Sequence, residues 1–230
     1  MMYFGGNFLI LIPALIISMY AQYKVKSTFN KYLNVKSASG YTGAQVARML
    51  LDANGLYDVP VEIIRGNLTD HYDPRSRVMR LSNEVFYGNS VAAIGVAAHE
   101  TGHAIQHKES YTPLTLRNSI APTVNVCNNF SMILFFIGIA FGLGGFGSLL
   151  VDIGILLFSA VVVFQLITLP VEFDASKRAL VLLENRGILF NNEVNGAKSV
   201  LDAAALTYLA AALMAVSQLL RLIMIRGRND

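Results

Sequence analysis

The sequence predicts a mainly α-helical, polytopic membrane protein with one small antiparallel β hairpin. Three observations predict it. Four apolar stretches approach the roughly 20 residues that a helix needs to cross a bilayer. The 230 residues are 54% apolar but only 14% charged, against about a quarter charged in a typical soluble domain, and the deficit is concentrated in those stretches. Strand-like patterning is confined to one short region between the first and second of them.

The first apolar stretch covers about Tyr3–Ala21. It has no positive residues before it, and Lys24 and Lys26 follow it, so it reads as an uncleaved anchor rather than a secretory signal. The second (about Phe130–Phe146) and third (about Leu149–Leu169) are separated by Gly142, Gly144, Gly145 and Gly147, which suits a tight membrane hairpin. The fourth, about Ala203–Ile225, is rich in alanine, and small residues let helices approach closely in lipid. Four crossings put the segments 22–128 and 170–202 on one side. The first holds eleven Lys/Arg, and the second holds Lys177, Arg178, Arg186 and Lys198. The positive-inside rule therefore predicts that both face the cytoplasm of a plasma-membrane protein. The single cysteine, Cys127, excludes an internal disulfide framework and agrees with that side.

Within the first polar segment, Thr42 is placed to cap a helix over Gly43–Ala53, ended by Gly55. Val59–Ile64 is β-branched and reads as a strand. Asp73-Pro74 marks a turn. Arg77–Ser82 alternates basic and apolar residues, which suits an antiparallel edge strand whose free backbone groups could pair with an extended peptide. The basic residues are scattered singly, so nothing points to nucleic acid.

The chemistry lies in His99-Glu100-Thr101-Gly102-His103, inside an apolar run that predicts a helix over about Ser90–Lys108. Residues four apart share a helical face, so both imidazoles can bind one Zn²⁺, and the acid between them can reach a water on the metal. A catalytic zinc takes three protein ligands and keeps one position open. The longer pattern H-E-x-x-H-x-x-G-x-x-H is excluded, because Gln106 and Glu109 stand at its glycine and third histidine. His107 lies about 6 Å further along the axis from His103, too far on for one ion, and reads as a helix-end histidine. Glu172 is the better third ligand. It follows the third apolar stretch, on the same side as the motif helix, with Pro170 suited to start a helix that runs to Gly187. Asp174, two positions on, faces elsewhere and can pair with Arg178 at i+4.

Residues 90–107, together with Asn67–Pro74 and Val171–Ser176, resemble the YugP-type neutral zinc metallopeptidase family of bacterial membranes. The likeness runs over nearly the whole chain. That family is similar to the HtpX-type and CAAX prenyl membrane proteases, whose zinc is held by two motif histidines and a downstream glutamate. The resemblance implies His99, His103 and Glu172 as ligands of one Zn²⁺ and Glu100 as general base, in a zincin-like catalytic domain. It departs at one place: the HtpX-type pattern has an Asp four residues after the ligand Glu, and this chain has Ser176. Any supporting carboxylate must come from elsewhere.

The expected organisation is an anchor (1–23), a catalytic part with the motif helix (24–128), a membrane hairpin (129–169), a ligand helix and connector (170–202), and a terminal membrane helix (203–230). The expected activity is zinc-dependent endopeptidase chemistry, hydrolysing peptide bonds with a metal-activated water. The competing reading is a zinc-binding membrane scaffold that cuts nothing; Glu100 argues against it, because a structural site needs no general base. His71, Arg178 and Tyr208 are the residues available to contact substrate or a developing oxyanion. The expected partners are the lipid bilayer and protein or peptide substrates, membrane-embedded ones included.

Overall fold

A computed structural model describes residues 6–142 and 144–227. A 3₁₀ turn over Gly6–Leu11 leads into α1 (Ile12–Leu33). Then follow α2 (Gly43–Ala53), β1 (Val61–Ile64), β2 (His71–Asp73), β3 (Val78–Ser82) and the short α3 (Asn83–Phe86). The chain continues as α4 (Val91–Lys108), α5 (Thr112–Ala140), α6 (Phe146–Asn185) and α7 (Asn192–Gly227). Four helical stretches are long and apolar enough to cross a membrane: Phe8–Leu33, Thr112–Ala140, Phe146–Asn185 and Asn192–Gly227. The first five residues of the expected anchor (1–23) lie outside the described residues.

The chain divides into two compact units. One, the span unit, takes residues 1–21, 115–170 and 207–230. Its core gathers Val124, Phe135, Val151, Phe158, Val161, Leu222 and Ile225. Large apolar side chains such as Leu156, Val163 and Phe136 stay exposed, which is the outward face a lipid-embedded helix presents. Helices α5 and α6 approach closely: a Cβ on Gly138 would meet Gly147 O at 2.6 Å, and one on Gly154 would meet Ser131 O at 2.7 Å. The other, the site unit, takes residues 22–114 and 171–206. Its core joins Leu50, Leu51, Met79, Leu81, Ile94 and Leu183, all fully buried.

Local chemistry explains the helix ends of the site unit. Thr42 Oγ1 accepts from Gln45 N at 3.3 Å, while Thr42 N donates to Gln45 Oε1 at 2.9 Å. This reciprocal cap satisfies two donors that have no partner inside the helix. Ser90 Oγ accepts from Ala93 N at 3.1 Å and so starts α4.

The sheet differs from the sequence reading. Its order is β1-β3-β2. The antiparallel hairpin is β2–β3, with Tyr72 opposite Met79, whereas β1 pairs with β3 in parallel, with Val61 opposite Met79. The 77–82 region is therefore a central strand, and both of its hydrogen-bonding edges are already occupied. The basic–apolar alternation misled because Arg80 has an acid on each flank: Glu62 at 3.6 Å and Asp73 at 3.4 Å. A central arginine flanked this way looks like a wet edge in sequence.

A second difference concerns Pro170. It does not begin a helix but sits inside α6, which runs unbroken for 40 residues. Proline removes one backbone donor, a loss that helices in lipid commonly tolerate.

Candidate metal site

The motif helix α4 and the 171–185 stretch of α6 touch backbone to backbone. A Cβ built on Gly102 would lie 2.6 Å from Ala175 O and 3.1 Å from Ala175 Cα. Only a glycine fits there without displacement. Gly102 immediately precedes His103, and Ala175 lies between Glu172 and Ser176, so this single close approach sets the geometry of the site.

The consequence is convergence. Nε2 of His99 and Nε2 of His103 each lie 3.4 Å from Glu172 Oε2. The three donor atoms fall within 4.8 Å of one another. Ligand atoms about 2.0–2.1 Å from a tetrahedral zinc sit about 3.3–3.4 Å apart. The two histidine–glutamate separations match that edge length, and two imidazoles with one carboxylate match the donor set of a zinc site. The imidazole planes stand 84° apart with centroids 4.7 Å apart, and both rings present Nε2 to the same Glu172 oxygen.

Charge reinforces the cluster. Burial pushes Glu172 up, but hydrogen bonds and charge from His103 and His99 outweigh it and hold the carboxyl well below its ordinary range. Burial likewise pushes His103 down, yet the hydrogen bond and charge of Glu172 prevail and raise it.

The outward-facing ring nitrogens are also held. His99 Nδ1 lies 3.1 Å from Ser176 Oγ. His103 Nδ1 lies 3.0 Å from Gln106 Oε1. Ser176 thus occupies the position where the HtpX-type pattern carries Asp, and it meets the first motif histidine with a hydroxyl. A metal-bound imidazole that donates its other N–H to a neighbour is fixed in both tautomer and orientation.

Glu100 is 8% exposed. Its Oε2 accepts from the backbone N–H of Tyr72 at 2.9 Å. The outer edge of β2 thereby clamps the acid beside the two histidines. His71, next in β2, turns its Nδ1 to Thr69 O at 2.8 Å. Arg178 is engaged by Asp174 at 2.6 Å and Glu109 at 2.6 Å, and its guanidinium lies 5.8 Å from the Tyr111 ring centroid. His107 is held apart from the metal-binding group, with Nδ1 2.9 Å from Tyr72 Oη. Tyr208 lies on α7 within the span unit. The sequence reading passed over Gln106 and took Ser176 only as a departure. A polar side chain three residues after the second histidine, on the buried side of a helix, was the signal available for Gln106.

The family described as "Putative neutral zinc metallopeptidase" matches residues 7–227. This chain belongs to that family. A relative of Bacillus subtilis (strain 168), described as "Putative membrane protease YugP", is 56% identical over 224 residues, covering 95% of this chain and 96% of its own length. No solved structure matches. Family membership accords with the four apolar helices and with a cluster fit for zinc.

Proposed function

We propose that this chain is a zinc-dependent endopeptidase of the plasma membrane, with its catalytic side in the cytoplasm. The observation that carries the reading is the meeting of His99, His103 and Glu172 at zinc spacing beside a clamped Glu100. The name of the Bacillus relative and the four apolar helices support a membrane protease.

His99 Nε2, His103 Nε2 and the Glu172 carboxylate would hold the ion. A zinc ion so held supplies Lewis acidity, lowering the pKa of water to about 7 and polarising a substrate carbonyl. Glu100 does the proton chemistry. With Oε2 held by Tyr72 N–H, the carboxylate cannot rotate freely, and its other oxygen would take a proton from the attacking water. The same carboxyl then delivers that proton to the leaving amine nitrogen, which completes peptide-bond cleavage. Burial of Glu100 and Glu172 excludes bulk water that would weaken these interactions.

His71 and Tyr208 remain proposed contacts for substrate or oxyanion. Arg178 would act through its ion pairs with Asp174 and Glu109, while the scaffold alternative is disfavoured by the buried Glu100 inside the motif. Full-length protein in lipid nanodiscs, incubated with a protein substrate such as casein and analysed by mass spectrometry, tests the reading. Wild type should generate new termini and Glu100→Gln should cut at least 1,000-fold more slowly while binding zinc equally. Equal cleavage by the two proteins would overturn it.

A further inference from the structure

Gln106 is completely buried, and its amide bridges the motif histidine to a charged network. Nε2 donates to Val171 O at 2.9 Å and to Asp174 Oδ2 at 2.8 Å. A carbonyl accepts only, and so does an ionised carboxylate. Asp174 Oδ2 also accepts from Arg178 Nε at 2.6 Å, and a guanidinium only donates, so that oxygen serves as an acceptor. Turning the amide over would set its oxygen against two acceptors in a buried site, so the orientation is determined. Oε1 must therefore face His103 Nδ1, 3.0 Å away. An amide oxygen cannot donate, so the proton of that hydrogen bond belongs to Nδ1. A neutral His103 then has its lone pair on Nε2, the nitrogen aimed at Glu172.

We propose that Gln106 is a positioning residue that fixes the tautomer of His103, with Asp174 fixing Gln106 in turn. The inference rests on the zinc reading above. Supporting partners of metal-bound histidines are usually a carboxylate or a backbone carbonyl in direct contact. Here the carboxylate acts one residue removed, through an amide that transmits direction without placing a second negative charge against the imidazole. Asp174 thereby supplies the carboxylate that the Ser176 position lacks, but to the other histidine. The two histidines differ in consequence. Ser176 can either donate or accept, so His99 is oriented but its tautomer is not dictated, whereas that of His103 is.

The test uses full-length protein in nanodiscs and measures zinc affinity by competition with a chromophoric chelator. Gln106→Leu and Asp174→Leu should each weaken zinc binding about 10–100-fold. Asp174→Asn retains an acceptor for Gln106 Nε2 and should stay within about threefold of wild type. In the metal-free protein at a pH where the ring is neutral, histidine ring ¹⁵N resonances should show His103 protonated at Nδ1 in wild type and as a mixture of tautomers in Gln106→Leu, a difference that a purely structural role would not require. Circular dichroism and gel filtration identify any variant that fails to fold, and the wild-type spectrum stands independently of them. Unchanged affinity in folded Gln106→Leu, or a proton on His103 Nε2, would overturn the inference. Failure of wild type to bind zinc through His99 and His103 would instead defeat the metal reading beneath it.

Discussion

At the scale of single residues, Gly102 sets the position of everything else in the site. Replacing it with alanine puts a methyl group 2.6 Å from a backbone oxygen, and backbone atoms cannot move aside as a flexible side chain can. The 171–185 stretch must shift away, carrying Glu172 and Ser176 with it. Gly102→Ala should therefore lower zinc affinity at least tenfold in protein that still folds, measured by the same chelator competition. An unchanged affinity would mean that the two helices are not locked by this contact. That His99 and His103 share a helical face was legible in sequence, because four-residue spacing is a local property of a helix. The partner of Ala175 was not, since the second variable position of an H-E-x-x-H motif is not specified by the pattern and only packing reveals why glycine stands there. Asp174 illustrates the same limit. Its i+4 pairing with Arg178 was readable along one helix, whereas its hydrogen bond to Gln106 joins residues 68 apart.

At the scale of elements, the β2–β3 hairpin links the sheet to the site, since Tyr72 N–H holds Glu100. Its turn is tied by Asp73, which accepts from Arg75 N at 2.9 Å and Ser76 Oγ at 2.6 Å. Hydrogen bonds from the Ser76 side chain, then Arg75 N, then Arg80 and the Ser76 backbone lower the Asp73 carboxyl from 3.8 to about 2. Because the folded value lies below the unfolded one, the stabilisation is fully present above about pH 4 and is lost as pH falls toward 2. Asp73→Asn should flatten that limb of an unfolding-versus-pH profile, leaving the remaining acid sensitivity to other groups. A profile identical to wild type between pH 4 and 2 would contradict the assignment. Helix α2 was fully readable, cap included, because capping signals are contiguous in sequence. Strand order was not. A parallel β1–β3 pair depends on how the chain passes beyond β3 to form β2, and alternation within a strand carries no information about its neighbours.

At the scale of the whole molecule, the number of apolar segments was readable from hydropathy, but their length was not. Helices α5, α6 and α7 extend well beyond the apolar stretches, to 29, 40 and 36 residues respectively, because helical structure continues through polar residues that hydropathy discounts. The site unit draws on both polar segments, with the motif helix from the first and Glu172 from the second. We propose, on the positive-inside rule, that this unit faces the cytoplasm. Tyr57 is 75% exposed. In a Cys127→Ala background, Tyr57→Cys should resist a membrane-impermeant maleimide in intact cells and react once the cells are opened. Labelling in intact cells would reverse the proposed sidedness without touching the chemistry.

The central claim is that one ion is held by two imidazoles and a carboxylate drawn from separate parts of the chain. X-ray absorption at the zinc edge, combined with metal content of the purified full-length protein, tests it most directly. About one zinc per chain is expected, with two imidazole nitrogens and oxygen ligands at about 2.0–2.2 Å, and Glu172→Ala should lose most of the metal. Full zinc occupancy with an unaltered spectrum in Glu172→Ala would contradict the account.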